Sequence, residues 1–146
     1  MTIAFIGFGE AGGILAADLA REHVVTMWDC KLNGPAREAM LRKAGDSRVQ
    51  VGNSLAQALE EATLVFSTVT AGEALKVAQQ AAALLQPGQY FLDLNSVAPE
   101  TKRQAAAHFL PGAYIDVAVM APVPPARLQT PLLIGGPQAE AIAPRQ

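Results

Sequence analysis

Charged and aromatic residues are scarce in this chain of 146 residues, and cysteine occurs once. The net charge is −2, and no basic run of the kind that binds nucleic acid or an anionic membrane is present. The single Cys30 cannot form an internal disulfide, which suits a reducing compartment. The apolar stretches are too short for membrane spans, and position 1 leads directly into a strand-like run without a targeting segment. We therefore expect a cytoplasmic protein with no nucleic-acid or membrane partner.

The sequence alternates apolar, strand-like runs with Ala-rich helical segments. The strand candidates are residues 3–6, 24–28, 49–51, 64–69, 90–94, 114–119 and 132–134. Most are continuous apolar runs, as expected for strands covered on both faces. Helices are predicted at residues 10–20, 35–45, 75–85 and 99–110, and Ser54 and Gln57 have the spacing of a capping box. Repeated βα units predict an α/β fold: a Rossmann-type doubly wound, mainly parallel sheet with helices on both faces and the order 3-2-1-4-5-6.

A glycine motif lies where the first strand passes into the first helix. The segment GFGEAG has the spacing G-x-G-x-x-G, in which the glycines allow a tight turn, approach of a pyrophosphate and close helix packing. The first turn of the helix then presents N–H groups to an anion. The predicted cofactor contacts in this segment are Gly7, Phe8, Gly9, Glu10, Ala11 and Gly12.

Asp29 ends the second strand, twenty positions after Gly9. A carboxylate in this place accepts the ribose hydroxyls of NAD and repels the 2′-phosphate of NADP. Lys31 and Arg37 follow, which leaves NADP possible. The sequence therefore favours NAD as the cofactor. We predict no metal site.

Three further segments resemble the β-hydroxyacid dehydrogenases, the superfamily that includes 6-phosphogluconate and 3-hydroxyisobutyrate dehydrogenases. These segments are STVTAGEA at residues 67–74, DLNSVAPETK at residues 93–102 and VAVMAPVPPARLQTPLLIGG at residues 117–136. The second is similar to the family pattern D-x-S-T-x-x-P, and the third to a segment like D-A-P-V-S-G-G followed by an apolar strand that ends in G-G. The resemblance spans essentially the whole chain, and it allows the strand at residues 132–134 to run antiparallel.

The resemblance implies an NAD(P)-dependent oxidoreductase acting on CH–OH groups, with a hydroxy acid or the corresponding carbonyl compound as substrate. Val69 and Thr70 would line the nicotinamide ribose, at the carboxyl end of a strand. Asn95 and Ser96 would orient the substrate, and Asn95 would also contact the cofactor. The alternative for Asn95 and Ser96 is capping of the helix that begins at Pro99.

The chain departs from the family at Val123-Pro124-Pro125, where relatives usually have Ser-Gly-Gly. Proline has no N–H group to donate to a substrate carboxylate or phosphate. This difference argues against a plain 6-phosphogluconate or 3-hydroxyisobutyrate enzyme.

The family also implies a general acid/base lysine from a second, all-helical domain, for which this sequence offers no equivalent. Lys31 and Lys43 are assigned to the adenosine side or to a helix surface, and Lys76 and Lys102 to solvated helix faces. A helix start at Gly136-Pro137 is followed by few residues. We expect residues 1–146 to be the NAD(P)-binding domain of a longer enzyme, inactive alone and a homodimer at full length. An imine-reductase-like domain and a non-catalytic dinucleotide-sensing module remain as alternatives.

Overall fold

The computed structural model describes residues 1–119 and 132–135. The strands are β1 (Thr2–Ile6), β2 (Val24–Trp28), β3 (Gln50–Val51), β4 (Leu64–Ser67), β5 (Tyr90–Asp93), β6 (Tyr114–Val119) and β7 (Leu132–Gly135). The α-helices are α1 (Glu10–Leu19), α2 (Arg37–Asp46), α3 (Leu55–Leu59), α4 (Ala74–Leu84) and α5 (Pro99–Ala106). Short 3₁₀ helices span Cys30–Asn33 and Ala71–Glu73. The prolines at 124 and 125 and the predicted helix start at Gly136-Pro137 lie outside the described residues.

All seven strands form one sheet in the order β3-β2-β1-β4-β5-β6-β7. The first six are parallel, and β7 pairs antiparallel with β6. The predicted α/β fold, the strand order and the added last strand are therefore confirmed. Because β1 pairs with both β2 and β4, the strand order reverses beside β1, and ligands of open α/β sheets bind above such a point.

The sheet separates two apolar cores, one on each face. Successive residues of a strand point to opposite faces, so Ala4 and Phe91 belong to one core while Phe5 and Leu92 belong to the other. All four side chains are at most 4% exposed. Burial on both faces explains why the strands are continuous apolar runs in the sequence.

Several local structures differ from the sequence prediction, and β4 ends at Ser67 and not at residue 69 as predicted. The 3₁₀ helix Cys30–Asn33 was not predicted, and Asp29 caps it by accepting the N–H of Lys31. The last helix ends at Ala106 and not at residue 110 as predicted. Beyond Ala106 the chain turns so that the ring of Phe109 packs 4.8 Å from that of Phe91 in the core. By contrast, the predicted cap is confirmed, because Ser54 Oγ accepts the N–H of Gln57. None of the helices in the described part of the chain is long and apolar enough to cross a bilayer.

Val24 and Val25 offer a matched test of the core, because they are neighbours in β2 with exposures of 49% and 1%. Val25→Ala should lower the free energy of unfolding by about 1.5–3 kcal/mol through lost apolar burial and a new cavity. Val24→Ala carries the same loss of strand propensity and should cost about 0.5 kcal/mol or less. Urea unfolding of both variants measures the difference, and equal destabilisation would contradict the described register of β2.

Candidate functional site

A cleft of about 180 Å³ opens at the carboxyl end of the sheet, beside the point where the strand order reverses. It is lined by Gly9, Glu10, Ala11, Gly12, Leu15, Thr68, Val69, Leu94, Asn95 and Ser96. The cleft thus joins the glycine turn to the segments that follow β4 and β5. Four predicted site residues are not part of its lining: Gly7, Phe8, Asp29 and Thr70. Three lining residues were not predicted: Leu15, Thr68 and Leu94.

The three motif glycines differ in their surroundings. Gly7 has φ +97°, and a Cβ there would overlap the carbonyl oxygen of Thr68. A Cβ on Gly12 would overlap the Thr68 hydroxyl and lie 2.5 Å from the carbonyl oxygen of Gly7. A Cβ on Gly9 would meet nothing within 4 Å. Gly7 and Gly12 therefore permit close packing, whereas Gly9 leaves open the space that the cleft occupies.

Asp29 lies beneath the glycine turn, with 8% of its surface exposed. Its Oδ2 accepts the N–H of Phe8 at 2.8 Å, and its Oδ1 accepts the N–H of Lys31 at 2.9 Å. The carboxylate thereby ties the glycine turn to the end of β2. The position of Asp29 after β2 predicted a contact with the ribose but gave no sign of this structural role.

Lys43, on α2, reaches the same turn from its outer side. Its Nζ donates to the carbonyl oxygens of Phe8 and Gly9, at 3.1 Å each, and lies 4.8 Å from the centroid of the Phe8 ring. The sequence offered no local signal for this contact, because the partners lie 34 and 35 positions away.

Asn95 fixes the opposite wall of the cleft. Its Oδ1 accepts the N–H of Val69 at 2.8 Å and its Nδ2 donates to Ser67 Oγ at 2.9 Å, so the amide links the ends of β4 and β5. The side chain of Ser96 is exposed, and its hydroxyl makes no hydrogen bond within the described residues. These two neighbours therefore differ: Asn95 has one donor and one acceptor engaged within the protein, whereas the hydroxyl of Ser96 is bound by none of the described residues.

A buried network supports Asn95 from below. The carboxylate of Asp93 is 1% exposed and accepts the N–H of Asn95 at 2.9 Å and the hydroxyl of Tyr114 at 2.6 Å. The pKa of Tyr114 is raised, mainly by burial and to a smaller extent by the hydrogen bond to Asp93, so this hydroxyl stays protonated and acts as a donor. Lys102 donates to the carbonyl oxygen of Asp93 and pairs with Asp116. Its side chain is only 11% exposed, so the predicted solvated position of Lys102 is wrong.

Residues 2–143 match the family model described as the NAD binding domain of 6-phosphogluconate dehydrogenase. The chain belongs to this family. No curated protein sequence matches it. Family membership confirms the resemblance seen in the sequence and identifies a nicotinamide dinucleotide as the cofactor of this domain.

Solved structures show the same relationship. A conserved hypothetical protein of Sinorhizobium meliloti 1021 is 36% identical, with a TM-score of 0.90 over 98% of this chain and 49% of its own. The 3-hydroxyisobutyrate dehydrogenase of Mycobacterium tuberculosis, solved with L-serine, is 26% identical, with a TM-score of 0.79 over 96% of this chain and 48% of its own. A conserved protein of unknown function, described as structurally similar to 3-hydroxyacid dehydrogenases, is 28% identical. Its TM-score is 0.82 over 97% of this chain and 52% of its own. This chain spans about half the length of these proteins.

The contrast between Asn95 and Ser96 predicts different effects on stability. Asn95→Ala should lower the free energy of unfolding by about 1–3 kcal/mol, because it leaves the N–H of Val69 and the hydroxyl of Ser67 without partners. Ser96→Ala removes no hydrogen bond within the described residues and should stay within about 0.5 kcal/mol of the unmutated protein. Chemical unfolding of the two variants tests the assignment, which fails if Ser96→Ala is as destabilising as Asn95→Ala.

Proposed function

We propose that this chain is the cofactor domain of an NAD-dependent oxidoreductase that transfers hydride between the nicotinamide and a hydroxy acid. The proposal rests on one observation: the same cleft is lined by the glycine turn and by Val69, Asn95 and Ser96. A dinucleotide bound along the turn would bring its nicotinamide toward the ends of β4 and β5, where a substrate can be held.

The glycine turn fits a pyrophosphate. The N–H groups of Gly9 and Glu10 have no partner within the described residues, and both residues line the cleft. They open the first turn of α1, where the helix dipole favours an anion. The missing side chain of Gly9 leaves room for it.

Asp29 supports the preference for NAD. Each carboxylate oxygen accepts one backbone N–H group and keeps further acceptor capacity for a ribose hydroxyl. Its negative charge at the turn disfavours the 2′-phosphate of NADP.

On the substrate side, Val69 and Thr70 would border the nicotinamide ribose, and the free hydroxyl of Ser96 would bind the substrate. Asn95 would act by holding the peptide of Val69 in place. No lysine or histidine lines the cleft among the described residues. The general acid/base would therefore come from outside them, in line with the lysine of a second helical domain that the family resemblance implies.

The cofactor proposal predicts that NAD stabilises the chain more than NADP does. A ligand present at a hundred times its Kd stabilises the native state by about 2.7 kcal/mol, which a thermal-shift assay detects as a higher Tm. Asp29→Ala should weaken NAD binding more than NADP binding, because only NAD loses its ribose acceptor. Both affinities should fall somewhat, since Asp29 also holds the N–H of Phe8.

Gly9→Val provides the matched test of the cleft. The valine meets no protein atom at its Cβ, so the fold should persist while the pyrophosphate site is filled and the Tm shift with NAD disappears. Gly45→Val is the control, because a Cβ on Gly45 in α2 is equally unobstructed and lies outside the cleft.

Tenfold tighter binding of NADP than of NAD would show that the role given to Asp29 is wrong.

We predict that the chain alone binds dinucleotide but does not oxidise hydroxy acids. General acid/base catalysis contributes about a hundred- to ten-thousand-fold to such rates, and no described residue in the cleft supplies the lysine. The test is absorbance of the reduced nicotinamide, with the purified chain, NAD or NADP and a panel of hydroxy acids. Robust turnover would overturn the prediction and place the acid/base within residues 1–146.

A further inference from the structure

Lys43 occupies a slot between the Phe8 ring and the first turn of α1. A Cβ on Gly13 would lie 2.5 Å from Nζ and 2.7 Å from Cε of Lys43, so the absence of a side chain at Gly13 creates this slot. Neither Lys43 nor Gly13 lines the cleft. Lys43 therefore contacts the turn without contributing to the lining of the cleft.

The contacts of Lys43 help to fix where two N–H groups point, although the carbonyl oxygen of Gly9 also accepts the N–H of Gly13 at 2.8 Å. In a trans peptide the C=O and N–H bonds point in opposite directions. With the carbonyl oxygen of Phe8 held by Nζ, the N–H of Gly9 faces the other way, and the same holds for the carbonyl of Gly9 and the N–H of Glu10. Both N–H groups lack a hydrogen-bond partner within the described residues, and both residues line the cleft.

The ammonium group of Lys43, an exposed residue, lies near the positive end of a helix dipole. Cations are destabilising near the N-terminus of a helix, and Lys43 lies beside the first turn of α1. The two carbonyl oxygens and the face of the Phe8 ring offset part of this cost. A bound diphosphate would add favourable charge on the opposite side of the turn.

We propose that Lys43 is a positioning residue for the pyrophosphate of the cofactor, acting through the peptides of Phe8 and Gly9. The proposal rests on the function proposed above. Lys43 presets the turn so that its N–H groups converge on the diphosphate, and it adds positive charge beside it.

Titration of the chain with NADH, followed by fluorescence, tests the role of Lys43. Lys43→Met should raise the Kd for NADH about tenfold, a change that corresponds to 1.4 kcal/mol. Arg42→Met is the matched control. Arg42 is exposed on the same helix, as Lys43 is, and its substitution removes one positive charge as well. It should change the Kd less than twofold, and Lys43→Arg should recover much of the affinity.

Gly13→Ala separates positioning from stability. The new methyl group displaces the end of the Lys43 side chain without removing its charge, and alanine favours a helix more than glycine does. The Tm without ligand should therefore stay or rise while the Kd for NADH rises severalfold. In a Lys43→Met background the Gly13→Ala change should have little further effect on the Kd, because the two substitutions break the same contact.

Three results would overturn the proposal. A Kd of Lys43→Met within twofold of that of Arg42→Met would show that only general charge matters. A Gly13→Ala variant that binds NADH like the unmutated chain would show that the position of Nζ is irrelevant. If the unmutated chain binds no NADH, the proposed function fails and this proposal fails with it. If the unmutated chain binds NADH and the Lys43→Met and Gly13→Ala variants bind it equally well, the role of Lys43 is refuted and the proposed function is not.

Discussion

The site depends on the close approach of the glycine turn to the segment that follows β4. Thr68 Oγ1 donates to the carbonyl oxygen of Gly7 at 2.9 Å, and neither Gly7 nor Gly12 has room for a Cβ against Thr68. Three elements, β1, α1 and the end of β4, meet at this point. If a side chain separated them, α1 could not begin beside β1 and the cleft would lose one of its walls.

Polar groups of the protein itself fix both walls of the cleft. On one side, Asp29 holds an N–H of the glycine turn and Lys43 holds two of its carbonyl groups. On the other side, Asn95 joins the ends of β4 and β5 and rests on the buried carboxylate of Asp93. Groups that are already ordered lose less conformational entropy on binding, so this arrangement favours affinity for a ligand that matches it.

The sequence predicted the features that depend on local pattern and failed where distant residues decide. Strand order and the Ser54 cap follow from apolar runs and from spacings of a few residues. Lys43 was assigned to the adenosine side or a helix surface and Lys102 to a solvated face, because their contacts are with groups that only the folded chain brings near. The sequence predicted only one of the two roles of Asp29. Its position after β2 indicated a contact with the ribose, but its hydrogen bond to the N–H of Phe8 spans 21 positions and has no local signal.

The same distribution of polar groups limits what this domain contributes to substrate recognition. Asn95 uses one acceptor for the N–H of Val69 and one donor for Ser67, and the carboxylate of Asp93 is buried, so the described part of the cleft offers few polar groups to a ligand. Ser96 is the exposed hydroxyl that remains beside the cleft among the described residues. One neutral hydrogen bond contributes about 0.5–1.5 kcal/mol, which is too little to select one hydroxy acid from another. Under the proposed function, discrimination between substrates therefore requires groups in addition to this hydroxyl.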